Sequence, residues 1–198
     1  MITKAERTSQ LIIEKVAPYF NRHGYTGTSM SDICKIVGMT KGAIYGNFKD
    51  KEDLAIQAFN FNIRKSVGDL SPQIDAKDDA VDKLLVITSF YRKYYGRVID
   101  DGGCPILNVG VDSINHNNKL YQRVIVVIER LKKSIQNIIE KGQKEGSIKK
   151  NGKAIEYADK IYAQIQGSIF MSFMLKDRIH ITQMMDHIDE MINTKMKV

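Results

Sequence analysis

Tryptophan is absent from this chain, and proline, cysteine and histidine are scarce, with three, two and four residues among 198. Two cysteines, Cys34 and Cys104, cannot build a disulfide framework, which excludes a small secreted scaffold and points to a reducing compartment. The histidines His23, His116, His180 and His187 are scattered. The last two stand seven apart with no carboxylate pattern to complete a metal site, so no metal and no cofactor is expected. No apolar run approaches the ~18 residues that a membrane helix needs. The opening MITKAERTSQ also lacks a charged-then-apolar leader pattern. A cytoplasmic protein with no membrane partner is therefore expected. With so few prolines and no sustained β-branched alternation, the chain reads as all-α, with about nine helices and no internal repeat.

What the chain does carry is positive charge. The net charge is +7 and the pI about 9.3, which favours a polyanionic partner without demanding one. Residues 1–65 hold ten Lys and Arg against six Asp and Glu, and the remaining 133 hold twenty against seventeen. More than half of the excess thus lies in the first third.

That third also holds the most informative stretch, TSMSDICKIVGMTKGAIYGNFKDKEDL, residues 28–54. Met30, Ile33, Cys34 and Val37 recur at helical spacing. Gly38 follows where a helix must stop, and Thr40 offers an N-cap for a short helix carrying Ile44 and Phe48 on one face. Asp50 and Asp53 repeat the capping logic for a third helix. Helix, glycine turn and short polar helix make a helix-turn-helix, whose second helix enters the DNA major groove.

Around this motif, Thr3 and Glu6 predict a capping box opening a helix to about His23, with Leu11, Ile12, Val16, Tyr19 and Phe20 inward and a kink at Pro18. Later helices are expected over about 51–67, 79–98, 105–114, 119–144 and 154–175, with a last one carrying Met184 to Ile192. Ser71-Pro72 reads as a loop and the basic tail at Lys195 and Lys197 as a frayed terminus.

The stretches Gly24-Tyr25, Thr28-Ser29-Met30, Asp32-Ile33, Val37-Gly38-Met39, Lys41-Gly42, Ile44-Tyr45, Asn47-Phe48 and Lys51-Glu52-Asp53-Leu54 resemble the tetracycline-repressor-like (TetR/AcrR) family of bacterial regulators. The resemblance implies a DNA-binding domain over residues 1–50, a connecting helix over 51–68, and a ligand-binding and dimerisation domain over 69–198. Gly103-Cys104-Pro105 and Gln166-Gly167 resemble one branch of the family. Two positions depart from it. Gly46 stands where members often carry a bulky aromatic or histidine, and Cys34 where alanine is usual.

The DNA set divides by role, since phosphate contacts position and base contacts specify. Thr28 and Ser29 precede a helix N-terminus suited to a phosphate. Tyr45 and Lys51 resemble family residues that meet the backbone. Lys41, Gly42 and Ala43, beside the cap Thr40, are expected to face base edges, with Asn47 reaching a phosphate or a base. One recognition helix is too little for strong specificity, so a homodimer reading a palindromic double-stranded operator is expected. Tyr162, Ile165, Ile169, Phe173, Met184, Ile188 and Met191 exceed the needs of one core, and Gly167 allows close backbone approach. By resemblance these form a four-helix interface.

The family resemblance further implies a small-molecule inducer, largely apolar or aromatic. Its expected lining is Phe90, Tyr91, Tyr94, Tyr95, Cys104, Leu107, Asn108, Val111, Asp112, Tyr121, Ile125, Gln164, Phe170 and Met174. Aromatic residues at helical spacing also serve as plain core. A buried Asp112 would need a partner and would favour a cationic ligand. Cys104, ahead of a helix N-terminus, offers an alternative redox or electrophile sensor, against the plainer reading of a buried small residue.

Three rival functions remain. One is a constitutive DNA-binding regulator whose pocket is only core, and another is a helical carrier that has lost DNA binding. The third is an enzyme, which would have to rest on Cys104 with His116 and Asp112, around which no signature stands.

Overall fold

The computed structural model describes residues 3–198, and among these it contains eleven α-helices and no strand. In chain order they are α1 (Lys4–His23), α2 (Met30–Val37), α3 (Lys41–Tyr45), α4 (Lys51–Val67), α5 (Leu70–Asp75) and α6 (Ala80–Arg92). Then come α7 (Tyr94–Asp100), α8 (Pro105–Ser113), α9 (Asn118–Glu145), α10 (Ala154–Leu175) and α11 (Ile179–Met191), closed by a π-helical turn over Ile192–Met196. The helices form two compact units. The first comprises the described residues up to Ser66 with Asp101–Val126, and the second Val67–Asp100 with Val127–Val198. The contiguous division expected from the sequence assigns 101–126 to the second domain, whereas by packing these residues group with the first. No helix among the described residues is long and apolar enough to cross a membrane.

In the first unit, Thr3 and Glu6 close the expected reciprocal box. Thr3 Oγ1 accepts the Glu6 N–H at 3.2 Å, and the Glu6 carboxylate accepts the Thr3 N–H at 2.7 Å. Those bonds hold the Glu6 carboxyl below its ordinary pKa. α1 continues through Pro18 to His23 as one helix. Its buried stripe of Ile12, Ile13, Val16, Ala17 and Phe20 shares the core with Ile33 and Val37 of α2, Ile44 of α3, and Leu54, Ala58 and Phe59 of α4. Each large side chain so enclosed stabilises the unit by ~1.5–3 kcal/mol. Leu11, expected inward, is exposed.

The second unit departs from the sequence pattern in three places. The expected Ser71-Pro72 loop is helical, because Pro72 falls in the first turn of α5, where its missing N–H costs no intrahelical bond. The single helix expected over 79–98 breaks at Lys93, giving α6 and α7. The terminus expected to fray is instead pinned. Lys149 N–H donates to the Met196 carbonyl at 2.7 Å, Val198 N–H donates to the Ser147 carbonyl at 3.2 Å, and Ile148 pairs with Lys197. Arg92 ties α6 to α11, reaching Asp186 at 2.8 Å and Asp189 at 2.5 Å. Partial burial opposes its charge, but the hydrogen bonds and charges of the two carboxylates outweigh burial and raise its pKa.

Candidate nucleic-acid interface

The helix-turn-helix is assembled from local hydrogen bonds. Ser29 opens α2 by a second capping box: its hydroxyl accepts the Asp32 N–H at 3.1 Å while the Asp32 carboxylate accepts the Ser29 N–H at 3.0 Å. The Ser29 hydroxyl donates to the same carboxylate at 2.6 Å, and these bonds lower the Asp32 pKa. Gly38 ends α2 in the left-handed conformation at φ 75°, which a side chain adopts only with strain, and its N–H returns to the Cys34 carbonyl. Two residues later Thr40 Oγ1 accepts the Ala43 N–H at 3.2 Å and starts α3. Ile33, Val37, Ile44 and Phe48 are buried, which anchors α3 by one side and leaves Thr40, Lys41, Gly42, Ala43, Tyr45 and Gly46 exposed on the other. Lys41 Nζ lies 5.7 Å from the Tyr45 ring centroid, so the charge and the ring share that face. Nothing stands within 4 Å of where a Gly42 Cβ would be, so the backbone there is open to close approach.

Four other residues expected at DNA are engaged by the protein itself. Thr28 is fully buried, and its hydroxyl donates to the Gly24 carbonyl at 2.6 Å; it is a structural brace rather than a phosphate ligand. Ser29 is exposed, with its hydroxyl committed to Asp32. The Asn47 carboxamide closes α3 instead of projecting from it, donating to the Ala43 carbonyl at 2.9 Å and accepting from the Ser9 hydroxyl at 3.1 Å. Lys51 Nζ donates to the Tyr25 carbonyl at 2.7 Å and sits 4.2 Å above the Tyr25 ring. Burial pushes its pKa down, partly offset by the charges of Asp112 and Asp32.

Asp112 is the residue whose role the sequence pattern hid most completely. Its carboxylate, on α8, accepts the Tyr25 N–H at 2.6 Å, the Thr26 N–H at 3.2 Å and the Thr26 hydroxyl. It therefore latches the loop that leads into α2, and the expectation of a ligand counter-charge is corrected. Gly24 leaves the room: a Cβ there would meet Asp112 Cγ at 2.7 Å. Asn108, also expected in the pocket, is a second tie. Its Nδ2 donates to the carbonyls of Asn21 and Gly102, while Asn21 Nδ2 donates to those of Asp101 and Gly103.

The remaining ligand residues are dispersed. Leu107, Tyr121 and Ile125 are half-buried in the first unit, Val111 is 76% exposed there, and Cys104 is buried at the start of α8. In the second unit Phe90, Tyr91 and Tyr94 form a buried aromatic cluster with ring centroids 5.4–6.1 Å apart, and Tyr95 and Gln164 are half-buried. Phe170 and Met174, expected in the pocket, stand exposed on α10.

The interface expectation divides similarly. Tyr162, Ile165, Ile169 and Ile188 are buried in the second unit's own core, so they are unavailable to a partner. Phe173, Met184 and Met191 are half-buried, and Gly167 is exposed. The exposed stripe of α10 runs one position away, through Ala163, Gly167, Phe170, Met171 and Met174.

Comparison with known proteins agrees with this geometry. Residues 12–58 match the family model described as bacterial regulatory proteins, tetR family, and residues 80–188 match the tetracyclin repressor-like C-terminal domain. The HTH-type transcriptional repressor DhaR of Mycobacterium sp. (strain GP1) is 27% identical over 180 residues, covering 88% of this chain and 86% of that protein. A TetR-family transcriptional regulator from Cytophaga hutchinsonii is 31% identical with a TM-score of 0.89, over 98% of this chain and 96% of that one. A TetR regulator from Chloroflexus aurantiacus is 29% identical with a TM-score of 0.91, over 98% of both chains.

Proposed function

Because the chain belongs to the tetracycline-repressor (TetR) family of bacterial transcriptional regulators, we infer that it is a dimeric repressor that leaves a palindromic operator when a small molecule binds its second domain. The observation that carries the DNA-binding half of this reading is the exposed face of α3. Lys41, Gly42, Ala43 and Tyr45 are presented to solvent by a helix whose opposite side is buried. Lys41 reads a base edge and Gly42 and Ala43 permit close approach, while Tyr45 holds a phosphate. Lys51 supports the same surface from behind, through Tyr25. The protein acts in the cytoplasm, where bacterial DNA lies.

The second copy covers the α10 stripe. Gly167, Phe170, Met171 and Met174 recur at helical spacing, and Phe170 and Met174 are 48% and 60% exposed. An apolar stripe of this kind is costly to leave in water and suits a two-fold self-complementary contact.

The decisive experiment is a gel shift against the DNA upstream of the protein's own coding sequence, at moderate salt. A bound palindromic fragment is expected. Lys41→Ala should change the ranking among operator variants, whereas Tyr45→Phe should weaken all of them alike and leave the salt dependence unchanged, because the lost hydroxyl is neutral. Absence of any bound palindrome sinks the reading.

A further inference from the structure

The C-terminal end of α3 is held by a residue that lies outside the helix-turn-helix. Five residues, Lys41–Tyr45, make little more than one helical turn, and a helix so short is marginal without support from its surroundings. Gly46 follows, and glycine favours helix less than any residue but proline. Here the Asn47 N–H turns to the Ile44 carbonyl at 2.9 Å, and the Ala43 carbonyl is closed by Asn47 Nδ2 at 2.9 Å. A carbonyl only accepts, so the nitrogen of the carboxamide must face Ala43 and its oxygen must face away. That oxygen meets Ser9 of α1, 38 residues earlier in the chain. The Ser9 hydroxyl stands 3.1 Å from Asn47 Oδ1 and 3.1 Å from the Ala5 carbonyl, so its one proton serves two acceptors. Ser9 and Asn47 are both half-buried.

These bonds run from α1, through one side chain, to the backbone of a residue that faces the bases. We propose that Ser9 is a positioning residue for operator recognition: by fixing the Asn47 carboxamide it keeps the last turn of α3 formed before DNA arrives. Without the Ser9 hydroxyl, water meets Oδ1, the carboxamide gains rotamers and the Ala43 carbonyl loses its fixed partner. The turn that carries Tyr45 then opens for part of the time. Apparent affinity falls in proportion to the fraction of molecules that remain competent to bind. The core beneath is untouched, because Ile44 and Phe48 are buried independently of this tie. Ser9 therefore governs local order and not folding. Attraction to DNA of any sequence comes chiefly from neutralising phosphates with lysine and arginine charge, so it survives while discrimination is lost. The proposal deepens the DNA-binding reading above and rests on it for the effect on operators. The effect on the order of α3 stands apart from that reading.

The test compares full-length wild type, Ser9→Ala and Ser9→Thr by fluorescence anisotropy at one salt concentration. The probes are the upstream palindrome found by gel shift and a scrambled duplex of the same length and composition. Ser9→Ala should bind the palindrome roughly three- to tenfold more weakly, about the contribution of one ordinary hydrogen bond. Its affinity for the scrambled duplex should hold, and so should its urea midpoint, because the higher helix propensity of alanine offsets the lost bond. Ser9→Thr returns a hydroxyl to the same place and should recover wild-type affinity. In an Asn47→Ala background, Ser9→Ala should have no further effect. Equal losses on both duplexes, no loss on the palindrome, or the same loss with Asn47 already removed each overturn the proposal. Amide hydrogen exchange covers the case in which the wild type binds no palindrome and the repressor reading fails. Faster exchange at the Gly46 and Phe48 amides in Ser9→Ala, with α1 and α4 unchanged, then supports the tie on its own. Unchanged exchange at those two amides overturns it whatever the DNA result.

Discussion

Replacing Asp112 by alanine should loosen the first unit more than a surface substitution has any right to. The carboxylate accepts two backbone N–H groups and one hydroxyl from Tyr25 and Thr26. Hydrogen bonds to a charged group contribute about 1.5–3 kcal/mol each, but Thr26 is exposed and water will replace part of its share. The half-buried Tyr25 N–H has less access to water and retains most of its loss. Together these give ~2–4 kcal/mol for Asp112→Ala. Asp112→Asn keeps one carbonyl oxygen for the two N–H groups and should cost ~1 kcal/mol. Urea unfolding followed by circular dichroism reads both numbers. Gly24 supplies an internal control. Gly24→Ala brings a Cβ to 2.7 Å from Asp112 Cγ and also strains a backbone at φ 73°. Without Asp112 the clash disappears and only the strain remains, so the double variant should be less destabilised than the sum of the single ones. The same loop holds Lys51 through the Tyr25 carbonyl, so operator affinity should fall in Asp112→Ala as well. Additivity of the two substitutions to within ~0.5 kcal/mol, or a cost below that for Asp112→Ala, would refute the latch.

Gly46 has φ −70°, an ordinary right-handed helical conformation, and its added Cβ would meet only the Ala43 and Gly42 carbonyls at 3.5 and 3.6 Å. Gly46→Ala should therefore raise the stability of the first unit by up to ~1 kcal/mol, read as a shift in the urea midpoint; a destabilisation would contradict the α3 geometry. Phe170→Glu and Met174→Glu should each convert a sedimenting dimer to monomer with little change in helix content, because both side chains are exposed in the single chain; a persistent dimer would move the interface off α10. Ile165→Glu, by contrast, should fail to fold, since that side chain is 1% exposed. Hydrogen bonds from Ser29 depress the Asp32 pKa on folding, so the stability they contribute is present above the unfolded-state pKa and lost as pH falls through the folded one. Ser29→Ala should accordingly destabilise most at neutral pH and approach wild type in strong acid without reaching it, because the bond from the Asp32 N–H to the Ser29 hydroxyl is independent of pH; a constant difference across that range would assign the whole effect to that cap bond.

The first unit's motif was legible because each of its signals is local. Ser29 with Asp32, Gly38 with Cys34 and Thr40 with Ala43 all act within four residues, so residue order alone states the geometry. The roles of Thr28 and Asn47 were misread for a related reason. A small polar residue beside a helix end looks the same whether its hydrogen bond goes to DNA or back to the chain. The break at Lys93 has no glycine or proline to announce it, and the partners of Asp112 lie 86 and 87 residues away. No periodicity carries that information.

The α10 stripe shows the deeper limit. This helix is apolar on more than one face, so helical spacing finds two stripes without saying which one the chain itself consumes. Ile165 and Ile169 belong to one and Phe170 and Met174 to the other. The two stripes are offset by a single residue, and the choice depends on where α6 and α11 pack. Arg92 settles part of that placement by joining α6 to Asp186 and Asp189 of α11. With α11 so held, Ile181, Met185 and Ile188 enter the core with Ile165 and Ile169. Phe170 and Met174 are then left in water, and a surface that stays exposed among the described residues is the one a second copy can use.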